Sequence, residues 1–217
     1  MKKIDSKVVK SAKKRTELAF EILESLRGGA IAIAPIEQGY VLVADMYSEE
    51  GVERIKSLKE LSEEVYFPLL VANVDQLAPL SGPVTPEKRL LAMEFWPGPL
   101  IFQCPSIAGS MLKIGSKYFP ETLYFRSSSD KILNEVCELI GPLVYTPILK
   151  EKKIVTNLKD ISKEFRSASS HFISGSKFEP NQTPTIVGFD SKGASLIRVG
   201  AIEESKIRKI IPNLQSN

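Results

Sequence analysis

The stretch GGAIAIAPIEQGYVLVA, Gly28 to Ala44, contains two short apolar runs separated by a polar loop. Each run has the length and the β-branched content of a buried strand, which predicts strands over 29–35 and 40–45. The connecting loop carries Glu37 and Gln38 and is followed directly by Tyr40. Loops between strands often carry binding groups, so these polar side chains are either ligand contacts or the polar filling of a turn.

Outward from this hairpin, helical and strand patterns alternate along the chain. Thr85 and Pro86 have the residue types of a helix N-cap and first turn, and the WPGP sequence at 96–99 predicts that this helix ends and a strand begins within 96–103. Helices are predicted over 7–27, 49–61, 86–95, 129–140 and 203–211, and strands over 67–73, 100–104, 122–126, 142–146, 172–173, 185–189 and 195–199. A short helix or turn is expected over 74–80, and a loop followed by a helix over 151–165. The mixture predicts one α/β domain over 1–217, in which helices flank a twisted mixed sheet.

Composition excludes several functional classes. The chain of 217 residues is 43% hydrophobic and 25% charged, with a net charge of +3, which permits an anionic ligand without requiring one. The two cysteines, Cys104 and Cys137, have no metal-binding spacing, and His171 is the single histidine. A disulfide scaffold, a zinc site and a Ser-His-Asp triad are therefore not expected. No apolar run approaches the length of a membrane span, and we expect a cytoplasmic protein.

Two further features leave the function open. The lysine-rich segment before Thr16 is typical of a solvated helix face, and an RNA-binding arm is the alternative. The chain has neither a phosphate-binding GxxxxGK[ST] loop nor a GxGxxG turn after a strand. From composition and periodicity alone, the chain is an α/β domain without a readable active site.

The order of seven short segments resembles one family. These segments are GGAIAIAPIEQGYVL, GVERIKSLKE, EFWPGPLIF, TLYFRS, GPLVYTP, TPTIVGFD and LIRVGAI. Together they resemble the threonylcarbamoyl-adenylate synthase family, the YrdC-like proteins, over residues 17–202. The resemblance implies a YrdC-like fold and a nucleotidyltransferase that converts ATP, L-threonine and bicarbonate to threonylcarbamoyl-AMP and pyrophosphate. It also implies Mg²⁺ with the ATP substrate, no tightly bound cofactor, tRNA or double-stranded RNA as a partner, and a second enzyme that completes the tRNA modification.

The resemblance assigns substrate or nucleotide binding to particular side chains, without identifying a catalytic residue or a metal ligand. The family loop P-T-D-T-x-Y-G-L corresponds to 35–42, and its K-x-R, T-S-x-N and R-x-G-A-I motifs correspond to 59–61, 146–149 and 198–202. The binding residues implied are Tyr40, Lys59, Arg126, Thr146, Thr185 and Arg198. We expect Arg126 and Arg198 to share one concave pocket with Tyr40 near its rim.

Several positions depart from the family motifs, and four of them bear most directly on ligand binding. Ile36 replaces a threonine, Leu61 an arginine, Pro147 a serine and Leu149 an asparagine. Each change removes a hydrogen-bonding group, and Leu61 also removes a cation that would hold an anion through two bonds. Two functions therefore remain open: an active synthase with a divergent site, or a non-catalytic protein of the same fold that binds a nucleotide or RNA.

Overall fold

An eleven-stranded mixed sheet organises the computed structural model, which describes residues 1–62, 64–107, 114, 120–175 and 177–216. Its strands in chain order are β1 Lys2–Asp5, β2 Ile31–Ile36, β3 Gly39–Asp45, β4 Leu69–Leu70, β5 Leu100–Pro105, β6 Thr122–Arg126, β7 Leu143–Pro147, β10 Ser169–Ser174, β11 Thr185–Asp190, β12 Gly193–Arg198 and β13 Gln215–Ser216. A separate small hairpin consists of β8 Leu149–Lys150 and β9 Lys153–Ile154. The order across the sheet is β1-β10-β2-β3-β7-β4-β6-β5-β11-β12-β13.

Seven α-helices lie in the described part of the chain. They are α1 Ala12–Arg27, α2 Glu49–Leu58, α3 Ala78–Ser81, α4 Pro86–Phe95, α5 Lys131–Ile140, α6 Lys163–Ala168 and α7 Glu204–Ile210, with short 3₁₀ turns at Val74–Leu77 and Leu158–Asp160. Side-chain caps fix several of the starts: the Thr85 hydroxyl accepts the Lys88 N–H, and Asp130 accepts two N–H groups of α5. No helix among these residues is long and apolar enough to cross a membrane.

The sheet separates two apolar cores. Strand residues such as Leu42, Phe102 and Phe125 point to a first core, which α2, α4 and α7 cover. Strand residues on the other face of the sheet, such as Val41 and Leu143, point to a second core, which α1 and α5 cover. The alternation follows from the two-residue period of a strand, and full burial of β2 and β3 on both faces explains their continuous apolar sequences.

Most predicted elements are confirmed, including the mixed α/β sheet. The helix before WPGP ends at Phe95, the Trp96–Pro97 peptide is cis, and β5 begins at Leu100. The predicted strands at 185–189 and 195–199 form the antiparallel pair β11–β12. The fold therefore follows closely from apolar periodicity and from proline and glycine positions.

Three predicted boundaries are wrong for identifiable reasons. The first helix begins at Ala12 rather than residue 7, because Ser11 caps it and residues 2–5 pair with β10 as β1. The predicted strand 67–73 contracts to Leu69–Leu70, since the Ala72 N–H donates to the Gln76 side chain instead of a neighbouring strand. The segment 151–165 contributes strand β9 of the small hairpin, and its helix α6 begins only at Lys163.

Candidate functional site

The loop between β2 and β3 is bound to Arg126 at the end of β6. The guanidinium of Arg126 is 2% exposed; it donates to Gln38 Oε1 at 2.8 Å and forms an ion pair with the Glu37 carboxylate. The other carboxylate oxygen of Glu37 accepts the Ser129 N–H at 2.8 Å. Glu37 and Gln38 thus join the hairpin loop to the segment that follows β6. We call Glu37, Gln38 and Arg126 the loop clamp.

The loop clamp retains polar atoms without protein partners. Among the described residues, neither Nε of Arg126 nor Nε2 of Gln38 has a hydrogen-bond partner, although both atoms are buried. The buried phenol of Tyr145 lies beside this cluster. Burial raises the pKa of Tyr145, while the nearby cations of Arg126 and, more weakly, Arg198 act in the opposite direction.

A second polar group lies where α2 ends. Lys59 is the C-cap of this helix, and its half-buried ammonium donates to Thr146 Oγ1 at 3.0 Å and to the Pro147 carbonyl at 2.5 Å. Burial lowers the pKa of Lys59. Within the described parts of the chain, Lys59 forms no ion pair, and both of its acceptors are neutral. We call Lys59, Thr146 and Pro147 the lysine corner.

The loop clamp and the lysine corner lie on opposite faces of the sheet. Tyr145, beside Arg126, belongs to the second core, whereas Val144 belongs to the first. Because side chains alternate along β7, the Thr146 side chain that contacts Lys59 points to the same face as Val144. The loop clamp and the lysine corner therefore do not form a single cluster.

Thr185 and Arg198 stabilise the connection after β12. The Thr185 hydroxyl is fully buried; it accepts the N–H groups of Gly200 and Ile202, each at 3.0 Å, and donates to the Ile202 carbonyl. Arg198 is exposed and donates twice to the Pro184 carbonyl, at 3.0 and 3.1 Å. A Cβ at Gly200 would lie 2.2 Å from the Thr183 carbonyl, so this close approach requires glycine. These contacts account for much of the R-x-G-A-I sequence.

Tyr40 lies in the first core. It is 5% exposed, and its ring packs against Phe172 and Phe178 with centroids 5.1 and 4.8 Å apart. Trp96 also packs internally, against Phe102 at 4.5 Å. Buried His171 lies between Ser170 and Glu21.

The four departures from the family motifs have different surroundings. Ile36 is buried, Leu61 packs against the first core, Pro147 is half-buried and Leu149 is 52% exposed. None of these side chains supplies a polar group. Ligand binding by the six predicted residues stays a prediction, and the clamp role of Glu37 and Gln38 had no local signal, because Arg126 lies 89 residues from Glu37 in sequence.

These observations define an α/β protein with a twisted mixed sheet and basic side chains at strand ends. A family model described as Telomere recombination, which groups the Sua5, YciO and YrdC proteins, matches residues 24–200. The chain belongs to this Sua5/YciO/YrdC family.

Named relatives are distant. The chain is 23% identical over 194 residues to the threonylcarbamoyl-AMP synthase of Pyrococcus abyssi, covering 88% of this chain and 56% of that protein. It is 30% identical over 132 residues to the Marinobacter nauticus synthase, covering 60% of this chain and 68% of the relative. The chain thus spans little more than half the length of the Pyrococcus relative.

Solved structures confirm the fold. Pyrococcus abyssi Sua5 complexed with L-threonine has a TM-score of 0.78 at 22% identity, over 100% of this chain and 62% of the other. Escherichia coli YciO has a TM-score of 0.66 at 19% identity, over 87% and 91% of the two chains. At these identities the likeness establishes the fold alone.

Proposed function

We propose that this chain is a binding protein of the family that holds a nucleotide through the lysine corner and has lost most or all of the synthase activity. The observation that carries the proposal is the state of Lys59. Its half-buried ammonium contacts only neutral oxygens of Thr146 and Pro147 and lacks a carboxylate partner among the described residues. A cation held in this way gains most from an incoming phosphate or carboxylate.

The other polar groups that the family resemblance assigns to binding already have protein partners. Glu37 neutralises Arg126, Thr185 is bonded to the backbone at Gly200 and Ile202, and Arg198 donates to Pro184. Releasing any of them for a ligand would break contacts that stabilise the fold. A nucleotide therefore meets fewer available charged donors than the family motifs provide.

The departures at Leu61 and Leu149 weaken the chemical step most directly. A hydrogen bond to a charged group contributes about 1.5–3 kcal/mol. Two such losses without compensation correspond to a reduction of about a hundredfold or more in transition-state binding. Substrate positioning and charge stabilisation dominate reactions at phosphorus, so the missing groups reduce turnover more than they affect the fold.

An active synthase is the second candidate. Relatives named threonylcarbamoyl-AMP synthase and a Sua5 structure with L-threonine favour it. In this case Lys59 would hold an anionic group of ATP or L-threonine, and Mg²⁺ would neutralise the ATP phosphates. Bicarbonate, tRNA or double-stranded RNA, a partner modification enzyme and a cytoplasmic location belong to this candidate as proposals.

Calorimetry separates binding from catalysis. We expect weak ATP binding to the wild-type protein, at least about tenfold weaker binding to Lys59→Met, and unchanged binding to Lys163→Met, which removes an exposed lysine on α6. Pyrophosphate release that depends on L-threonine and bicarbonate should be low or absent. Turnover equal to that of an intact relative would refute the proposal and establish the synthase.

A restored variant tests the cause of the lost activity. Leu61→Arg, Pro147→Ser and Leu149→Asn together return the missing cation, hydroxyl and amide. We expect this triple variant to bind ATP more tightly than the wild-type protein. Unchanged affinity in a folded triple variant would show that these positions do not limit nucleotide binding.

A further inference from the structure

A cavity of about 430 Å³ lies away from the loop clamp and the lysine corner. The start of α4, the turn between β11 and β12, and the segment after α7 form its walls. Its apolar lining residues are Pro83, Pro105, Phe189, Ala194 and Ile211. A cavity of this size lies within the range that accommodates small molecules.

Lys88 supplies a buried cation to this cavity. Its residue exposure is 5%, and its ammonium donates to the Pro83 carbonyl at 3.2 Å and lies 5.5 Å from the centroid of the Phe189 ring. Over the described ranges of the chain, no carboxylate lies within ion-pair distance of Lys88. A buried ammonium with one neutral acceptor retains unsatisfied donors and an uncompensated charge.

The two acidic residues of the lining serve local backbone structure. Asp190 accepts the Lys192 N–H at 2.7 Å, which closes the turn between β11 and β12. Hydrogen bonds from the Glu87 N–H and from Thr85 lower the pKa of Glu87 at the start of α4. These carboxylates stay in place without pairing with Lys88, and their charges disfavour a ligand that carries several negative charges.

We propose that this cavity binds a small monocarboxylate with an apolar body. The carboxylate pairs with the Lys88 ammonium, and the body of the ligand packs against Phe189, Pro105 and Ile211. The lining contains two lysines, of which Lys88 is buried and Lys192 is exposed. The buried cation matches one negative charge, while Glu87 and Asp190 disfavour polyanions such as a nucleoside triphosphate. The apolar walls favour a hydrocarbon or aromatic body over a bare inorganic anion.

This cavity is independent of the proposed nucleotide site. Lys59, Thr146 and Pro147, which form the lysine corner, are not among the residues that line the cavity. The two proposals can therefore fail separately.

Titration of the full chain with benzoate and with hexanoate, followed by NMR chemical-shift changes, tests the assignment. We expect shifts for residues around Phe189 and Ala194 with the carboxylates, and far weaker binding of benzyl alcohol. Lys88→Met should weaken carboxylate binding at least about tenfold, because it removes the charged donor. Lys209→Met, on an exposed position of α7, is the matched control and should bind as the wild type does.

The melting temperature of each variant shows whether weaker binding comes from loss of the site or from damage to the fold. Lys88→Met should retain the wild-type melting temperature or exceed it, since an apolar side chain replaces a buried charge. Should Lys88→Met not fold, Ala194→Leu fills the cavity from β12 and should block binding without touching the ammonium. Carboxylate binding that survives in whichever variant folds would overturn the proposal, as would inorganic phosphate binding as tight as benzoate.

Discussion

The loop clamp and the lysine corner contain one cation each, with opposite electrostatic outcomes. Arg126 is 2% exposed and has an acidic partner in Glu37. Lys59 is less deeply buried and contacts only neutral oxygens. A buried cation that a carboxylate of the fold neutralises is a structural ion-pair partner, whereas one without a counter-charge is available to a ligand.

The comparison also separates family resemblance from function. Arg126 and Lys59 both match family positions in the sequence, yet only the structure shows that Arg126 has an internal carboxylate. The same residue type at a matching position therefore does not establish a binding role. The surroundings of the charge decide whether it is a structural partner or an available binding group.

Removal of the acidic partner should have the largest effect. Glu37→Ala leaves the Arg126 guanidinium buried without a counter-charge, and we expect the free energy of unfolding to fall by about 3–5 kcal/mol. For a chain of this size the melting temperature should fall by about 10 °C. Calorimetric unfolding measures both quantities.

Two controls make this expectation specific. Glu50→Ala removes an exposed pair with Arg54, whose atoms are 2.7 Å apart, and should change stability by no more than about 0.5 kcal/mol. The double variant Glu37→Ala, Arg126→Met should recover part of the loss, because no buried charge remains. A single Glu37→Ala variant as stable as Glu50→Ala would show that the loop clamp is not a structural ion pair.

Replacing each cation in turn should change the free energy of unfolding by different amounts, and we expect these changes to be smaller than that of Glu37→Ala. Arg126→Met leaves the Glu37 carboxylate without its cation and should destabilise the protein by several kcal/mol. Lys59→Met removes a hydrogen-bond donor only from the neutral acceptors of Thr146 and Pro147. The free energy of unfolding should therefore change by less than about 1 kcal/mol. Urea denaturation of both variants measures the difference, and equal losses would remove the distinction between the two regions.

The sequence predicts the fold better than it predicts which of the two cations has an internal counter-charge. The WPGP break and the β11–β12 pair follow from local residue preferences, and both are confirmed. Strand β1 was missed because Lys2 pairs with His171, far along the chain, and three of its four residues, Lys2, Lys3 and Asp5, are charged and give no strand pattern. Short-range periodicity cannot report a pairing that depends on a distant strand.

The same limit applies to the candidate site. The notable features of the loop, an acid and an amide before a glycine, are visible in the sequence, but their partner Arg126 lies on β6. The Lys59 contact with Thr146 likewise spans 87 residues. The family motifs predicted the positions of these cations in the sequence, whereas only the tertiary structure shows how deeply each is buried and whether it has a counter-charge.

The smallest expected effect is a pH dependence of stability that comes from Lys59. Burial lowers its pKa in the folded state below the ordinary 10.5, so between these two pKa values the unfolded chain binds more protons than the folded chain. The free energy of unfolding should therefore gain a rising contribution with pH across that window. Lys59→Met should lack this contribution, and Lys163→Met should keep it.

Urea denaturation from pH 8 to 10.5 gives the difference between wild type and each variant. A constant difference for Lys59→Met would mean that Lys59 titrates alike in both states, and the argument that burial makes its charge available to an anion would fail. Nucleotide binding provides the paired readout, because an anion favours the protonated ammonium and its affinity should decline as the pH rises through the same window.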